Sequence, residues 1–197
     1  MYSKLPNLVI GFHGCNKRVY EKVVIDGEQL KASENTYDWL GHGIYFWEQN
    51  LERAEEWAKR RHKDDAAVIG AVIDLGLCLN LTDSASAVYL KNGFRVLKAR
   101  CQIAGVEMPI NRPSIRTEDV LLRNLDCAVI QQIQQIYSNN PKLPAFDSVR
   151  GVFIEGRPAF DGSEIREKTH IQICVCNPNC IKGYFAPRKV DVKYRTP

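Results

Sequence analysis

Two short apolar runs marked by glycine constrain this chain more than any other feature. One is Asn7-Leu8-Val9-Ile10-Gly11-Phe12-His13, followed by Gly14; the other is Gly41-His42-Gly43-Ile44-Tyr45-Phe46. The first is apolar and β-branched enough to read as a buried strand that finishes on His13, and Gly43 to Phe46 reads as a short second strand. Glycine beside a functional side chain lets a ligand come close to the main chain.

The rest of the pattern fills in around these runs. Tyr20 to Leu30 reads as a short helix or turn broken at Gly27, and Ser33 to Leu40 as a loop across a pocket mouth. From Leu51 to Arg61, the residues Leu51, Ala54, Trp57 and Ala58 make one apolar stripe on a charged helix. Val68 to Leu75 is a second buried strand. Helices are expected over Ala85 to Ala104 and Thr117 to Tyr137, separated by a loop with Pro109 and Pro113 and ended by Asn139-Asn140-Pro141. The C-terminal third reads as strands: Arg150 to Glu155, Thr169 to Cys176 and Tyr184 to Pro187, with Lys189 to Tyr194 as a possible edge. This order predicts an α+β domain of two small sheets meeting at a cleft, over 1–197, with a mostly helical insert at about 84–140.

Size and charge set limits. At 197 residues one full core fits and two ordinary domains do not. The 27 Lys and Arg against 23 Asp and Glu leave +4, which permits an anionic ligand without demanding one. No apolar stretch is long enough to span a membrane, and no secretory signal is recognisable, so a soluble chain without a membrane partner is expected. Seven cysteines, an odd number in apolar surroundings, favour a reducing cytoplasm, or delivery into a host cytosol by a signal-independent route. His170, Cys174, Cys176 and Cys180 invite a zinc reading. Cys174 and Cys176 share a strand face and no Cys-x-x-Cys pair exists, so no metal is expected.

The His13-Gly14 dipeptide followed by Gly41-x-Gly43-Ile44-Tyr45-Phe46 resembles the diphtheria-toxin-like ADP-ribosyltransferases, closest to the poly(ADP-ribose) polymerase branch. The resemblance runs from Val9 to about Ala58 and from about Arg150 to Phe185, leaving the middle third uncovered. It implies the ADP-ribosyltransferase fold: two small antiparallel or mixed sheets around an NAD-binding cleft, with flanking helices. It also implies NAD⁺ as substrate. By that resemblance His13 contacts a ribose and aligns the dinucleotide, Gly14 holds the carboxamide through its backbone, and Tyr45 stacks on the nicotinamide. Gly43 and Phe46, which flank Tyr45, are counted with it as cofactor-binding residues, with the Phe46 ring alternating toward the core. Ser33 and Asn35 line the ribose or diphosphate path, with Lys31 near a phosphate.

The family's third position, usually a glutamate, is Gln172 when Asn177-Pro178 is set against the family's Asp-Pro. A neutral amide accepts a hydrogen bond but cannot serve as a base near neutral pH. Glu164 and Glu167, upstream, are candidates to supply the carboxylate. The segment from Gly156 to Thr169 corresponds to the acceptor-facing loop, with Phe160 as an aromatic contact. At the family's serine and tyrosine positions stand Arg53 and Glu56, with Trp57 next to them and assigned to the core. The expectation is transfer of one ADP-ribose to a macromolecular acceptor, a protein ahead of a nucleic acid, as in a toxin or effector. Rival readings are a non-catalytic module binding NAD⁺ or ADP-ribose, and a nucleic-acid-modifying enzyme on the same fold.

Overall fold

The computed structural model describes residues 8–113 and 119–195. Asn7, at the start of the expected first strand, and Thr117, at the start of the expected second long helix, lie outside them. The strands are β1 (Leu8–Asn16), β2 (Ile44–Glu48), β3 (Ala66–Asp74), β4 (Cys78–Asn80), β5 (Asn111–Arg112), β6 (Leu122–Arg123), β7 (Ser148–Phe153), β8 (His170–Val175) and β9 (Ile181–Phe185). The helices are α1 (Lys17–Tyr20, continued by a π turn over Glu21–Ile25), α2 (Leu51–His62), α3 (Ala87–Ala104) and α4 (Asn124–Ser138).

Seven strands form one mixed sheet in the order β4-β7-β8-β2-β1-β3-β9. Only β4 and β7 run parallel in it. The α+β class stands, and the two small sheets around a cleft are corrected. Antiparallel pairing of β2 with β8, from Ile44↔Val175 to Trp47↔Gln172, joins the N-terminal and C-terminal strands into one sheet. The second sheet is only the ribbon β5–β6.

Each face of the large sheet carries a core. On the first face Phe46, Ile69, Ile73, Ile173 and Val175 pack with Val23 from the π turn. Phe46 is fully buried, which is worth about 1.5–3 kcal/mol for a side chain of its size. On the second face Leu79, Val149, Phe153 and Cys174 pack with Leu40 and with Ile130 and Ile133 of α4. The helical insert therefore buries its apolar side against the strands that flank it. Helix α2 covers another part of this face: its Ala54 and Ala58 are buried, and a Cβ on Gly14 would lie 2.7 Å from the Ala54 carbonyl.

Several boundaries move for local reasons. β1 passes His13 and stops at Asn16, whose side chain accepts from the Val19 N–H at 2.8 Å and caps α1. That helix and its π turn end at Ile25, ahead of Gly27. Asn50 caps α2 in the same way, accepting from the Arg53 N–H at 3.0 Å. α4 begins only at Asn124, because Leu122 and Arg123 pair with Arg112 and Asn111. The last strand starts at Ile181 rather than Tyr184, and Lys189 to Tyr194 forms a turn closed by the Tyr194 N–H on the Asp191 carbonyl, not a strand. β4 is too short to show a period in sequence.

Candidate functional site

The pairing of β1 with β2 is short. It sets Gly11 against Glu48 and Phe12 against Trp47 and stops, while β1 stays paired to β3 as far as Asn16. Alternate residues of an antiparallel ladder turn their main chains to the same neighbour. The Gln49 N–H donates to the Ile10 carbonyl at 2.9 Å and Phe12 pairs with Trp47, so Gly14 is next to face β2. The Tyr45 carbonyl that a continued ladder would offer Gly14 accepts instead from Nδ1 of His13, at 2.8 Å. Farther along this edge, Gly43 exchanges two main-chain bonds with Ser33, at 2.8 and 3.0 Å. The two strands thus part around Gly14, with His13, Tyr45, Gly43 and Ser33 at the margin. Asn35 braces this loop by donating to Ser33 Oγ at 2.8 Å.

Because Nδ1 of His13 donates to a carbonyl, the neutral ring presents Nε2 as an acceptor. Burial pushes the His13 pKa below its usual value against the opposing pull of the Tyr45 carbonyl, so the ring stays neutral near pH 7. Alternation sets His13 on the first face, opposite Ile69 and 5.9 Å from the Phe46 ring. Tyr45 and Gln172 lie on the second face: Tyr45 is opposite Cys174, and Gln172 is opposite both Trp47 and Gly151. The structure thus brings Tyr45 and Gln172 together as diagonal neighbours. It ties His13 to them through the Tyr45 main chain, not across a shared surface.

The Tyr45 hydroxyl is engaged. It donates to the Gly41 carbonyl at 2.6 Å and accepts from the Leu40 N–H at 2.9 Å, and burial raises its pKa far above the usual value. Gln172 donates from Nε2 to Nε2 of His170 at 2.9 Å, and His170 stacks on Phe153 with ring centroids 5.6 Å apart. Above this stretch of sheet, Trp57 of α2 lies 5.8 Å from Trp47, ring to ring, and its Cε3 would be 3.0 Å from a Cβ on Gly14. Trp47 is buried, and its indole N–H has no partner among the described residues. A buried donor without a partner costs stability unless a ligand or solvent satisfies it.

Arg53 and Glu56 complete the roof. Arg53 donates to Glu155 at 2.9 Å and also to Glu56, which Lys168 approaches at 3.4 Å. Burial raises the Glu155 pKa, with Asp119 adding to the rise and Arg53 opposing it. For Glu56 burial also pushes upward, but Arg53 and Lys168 outweigh it and the value falls. Sequence reasoning missed Trp47, Glu155 and the role of His170. The alternation His170-x-Gln172 on one strand was the available signal.

Other candidates fall elsewhere. Phe46, named as a cofactor residue, is sealed in the first core, which corrects that assignment. Glu164 and Glu167 are exposed on a loop folded on itself by the Ala159 N–H to Ile165 and Glu167 N–H to Arg157 bonds. Phe160 on the same loop is 65% exposed. Cys174 and Cys180 belong to different cores.

No family model matches the chain, and no solved structure matches it. An uncharacterized protein of Methanocaldococcus jannaschii, MJ0359, is 24% identical over 196 residues, covering 87% of this chain and 83% of its own length.

Proposed function

We propose that the chain is a mono-ADP-ribosyltransferase that takes NAD⁺ and passes one ADP-ribose to a macromolecular acceptor. The observation that carries this reading is the end of the β1–β2 ladder before Gly14, where the His13 ring takes the Tyr45 carbonyl that the Gly14 N–H would otherwise meet. A carboxamide needs one donor and one acceptor from a main chain, and in this reading Gly14 supplies both once α2, whose Ala54 carbonyl and Trp57 ring cover it, shifts to admit the ligand. The unpartnered Trp47 indole N–H supports a polar ligand on the same side.

The chemistry joins an acceptor nucleophile to C1′ of the ribose as the bond to nicotinamide breaks. Nicotinamide leaves with the bonding pair, and the acceptor's proton passes to solvent. Positive charge grows on the sugar in the transition state, as in glycoside hydrolysis. On the second face Tyr45 offers its ring and the Gln172 carbonyl oxygen stabilises the charged sugar. His13, on the first face, orients the dinucleotide at the strand margin, where its ring holds the Tyr45 main chain and Nε2 is left to accept from a ribose hydroxyl reaching past the ended ladder. Glu155 does not replace the family glutamate: Gly151 is the residue opposite Gln172, and four residues along a strand is roughly 13 Å. With an amide in place of a carboxylate, one transfer is favoured over chain elongation.

Nicotinamide release from NAD⁺ tests the reading, with Tyr45→Ala and His13→Ala compared after thermal unfolding has established that each is folded. Loss of release in both variants is expected; equal release from all three proteins refutes the assignment. The neutral amide also favours a second reading, binding without turnover. Calorimetric NAD⁺ binding with no release under any acceptor identifies it. A nucleic-acid acceptor is favoured by one feature, helix α3, which carries Lys91, Arg95, Lys98 and Arg100 and no carboxylate. Labelling lost to nuclease and not to protease would establish that acceptor class.

A further inference from the structure

His170 and Gln172 are two apart on β8 and share its second face. Nδ1 of His170 lies 2.7 Å from the Lys168 carbonyl. A carbonyl only accepts, so Nδ1 carries the proton and Nε2 of the neutral ring holds a lone pair. The Gln172 amide nitrogen, 2.9 Å from that Nε2, is therefore the donor in the second bond. An amide rotor has two orientations of nearly equal shape, and its hydrogen-bond partner selects between them. Here the partner is an acceptor, so the amide nitrogen faces His170 and the carbonyl oxygen is directed away from that ring. Among the described residues no protein donor holds that oxygen.

We propose that His170 is the positioning residue for Gln172, its neutral ring presenting the amide oxygen to the ligand side and its protonated ring reversing the amide to present the NH₂ group. The inference rests on the transfer reading and deepens it, because the sign of the exposed dipole matters to a sugar becoming positive. An oxygen stabilises that charge and an amide NH₂ opposes it. A ribose hydroxyl alone would tolerate either orientation.

The groups around His170 favour the neutral ring. Phe153 stacks on one side and Trp47 lies 6.4 Å away, while Arg53 of α2 adds a positive charge from above. Lys168, in the turn before β8, is a second cation, and Glu56 and Glu155 are tied to Arg53. Burial lowers the His170 pKa, the bond to Lys168 raises it, and Arg53 lowers it further. The device is thus set with the oxygen outward near neutral pH and reverses in acid.

Two measurements on the intact chain test this. Long-range ¹⁵N–¹H correlation of the imidazoles, with His170→Gln to assign the signal, reads the tautomer directly. The proton is expected on Nδ1 at pH 7.5, and a proton on Nε2 overturns the proposal whatever the turnover. The second is nicotinamide release from NAD⁺ between pH 5 and 8, in the native chain and in Gln172→Glu. In the native chain one component of the acid limb, falling tenfold per pH unit, follows the His170 titration seen by NMR. In Gln172→Glu the introduced carboxylate accepts in either orientation and is held by His170⁺, so that component vanishes and the His170 pKa rises. Identical acid limbs in the two proteins refute the positioning role. If no protein releases nicotinamide at any pH while the Nδ1 tautomer is found, the transfer reading fails and the amide orientation stands.

Discussion

The His13 ring holds the Tyr45 main-chain carbonyl at 2.8 Å, at the point where β1 and β2 cease to pair. A side chain thereby takes an acceptor that a regular sheet would give to a backbone N–H. The strands part without leaving that carbonyl unsatisfied, and a buried carbonyl without a donor would be costly. The residue that resembles a ribose-binding histidine also ends the pairing of the two strands beside Gly14, which is buried beneath α2.

Gly14 is where added bulk is felt at once. A Cβ there would lie 2.7 Å from the Ala54 carbonyl and 3.0 Å from Trp57 Cε3, so α2 must move. Gly14→Ala is expected to cost about 1–3 kcal/mol, the usual penalty of overpacking. A urea midpoint unchanged from the parent would show that α2 yields freely.

Removing only the Tyr45 hydroxyl separates its two duties. Tyr45→Phe loses the bonds to Leu40 and Gly41 and keeps the ring face. A cost of about 1–3 kcal/mol is expected from the groups left unpaired, with faster hydrogen exchange at the Leu40 amide. Nicotinamide release should survive in Tyr45→Phe and disappear in Tyr45→Ala. Loss in both would give the hydroxyl a chemical role.

Acid should weaken the fold through two histidines. His13 and His170 both have pKa values pushed below the ordinary 6.5 by burial, so below that pH the unfolded chain binds more protons than the folded one. Their contribution is complete above pH 6.5 and is lost as the pH falls toward the depressed folded values. Urea midpoints at pH 7.5, 6.5 and 5.5 should decline in that order, and the decline should be shallower in His170→Gln.

Arg150 and Glu48 form a two-bond pair at 2.6 and 2.8 Å, with each side chain only 12% exposed. They join β7 to β2 on the first face across β8. Glu48→Ala leaves a largely buried guanidinium with only its bonds to Asn80 and Thr82, and a loss of about 3–5 kcal/mol is expected from breaking such a pair. An effect below about 1 kcal/mol would place the pair with ordinary surface bridges.

By itself the sequence determined the strands that hold the site and the helix above it. The apolar, β-branched run that ends on His13, the short apolar run Ile44 to Phe46, and the stripe through Ala54 and Ala58 are local patterns that burial enforces. At Gly14 the close approach that glycine allows is made by α2, through the Ala54 carbonyl and Trp57. Tertiary structure alone decided the rest, because contacts between strands distant in the chain leave no local period. The single seven-stranded sheet depends on β2 pairing with β8, the side of the sheet each candidate occupies depends on register, and a shift of one residue would exchange the faces. The same long-range geometry brought His170 to Gln172, Arg53 to Glu155, and an indole N–H of Trp47 to a place where the described chain offers it no partner.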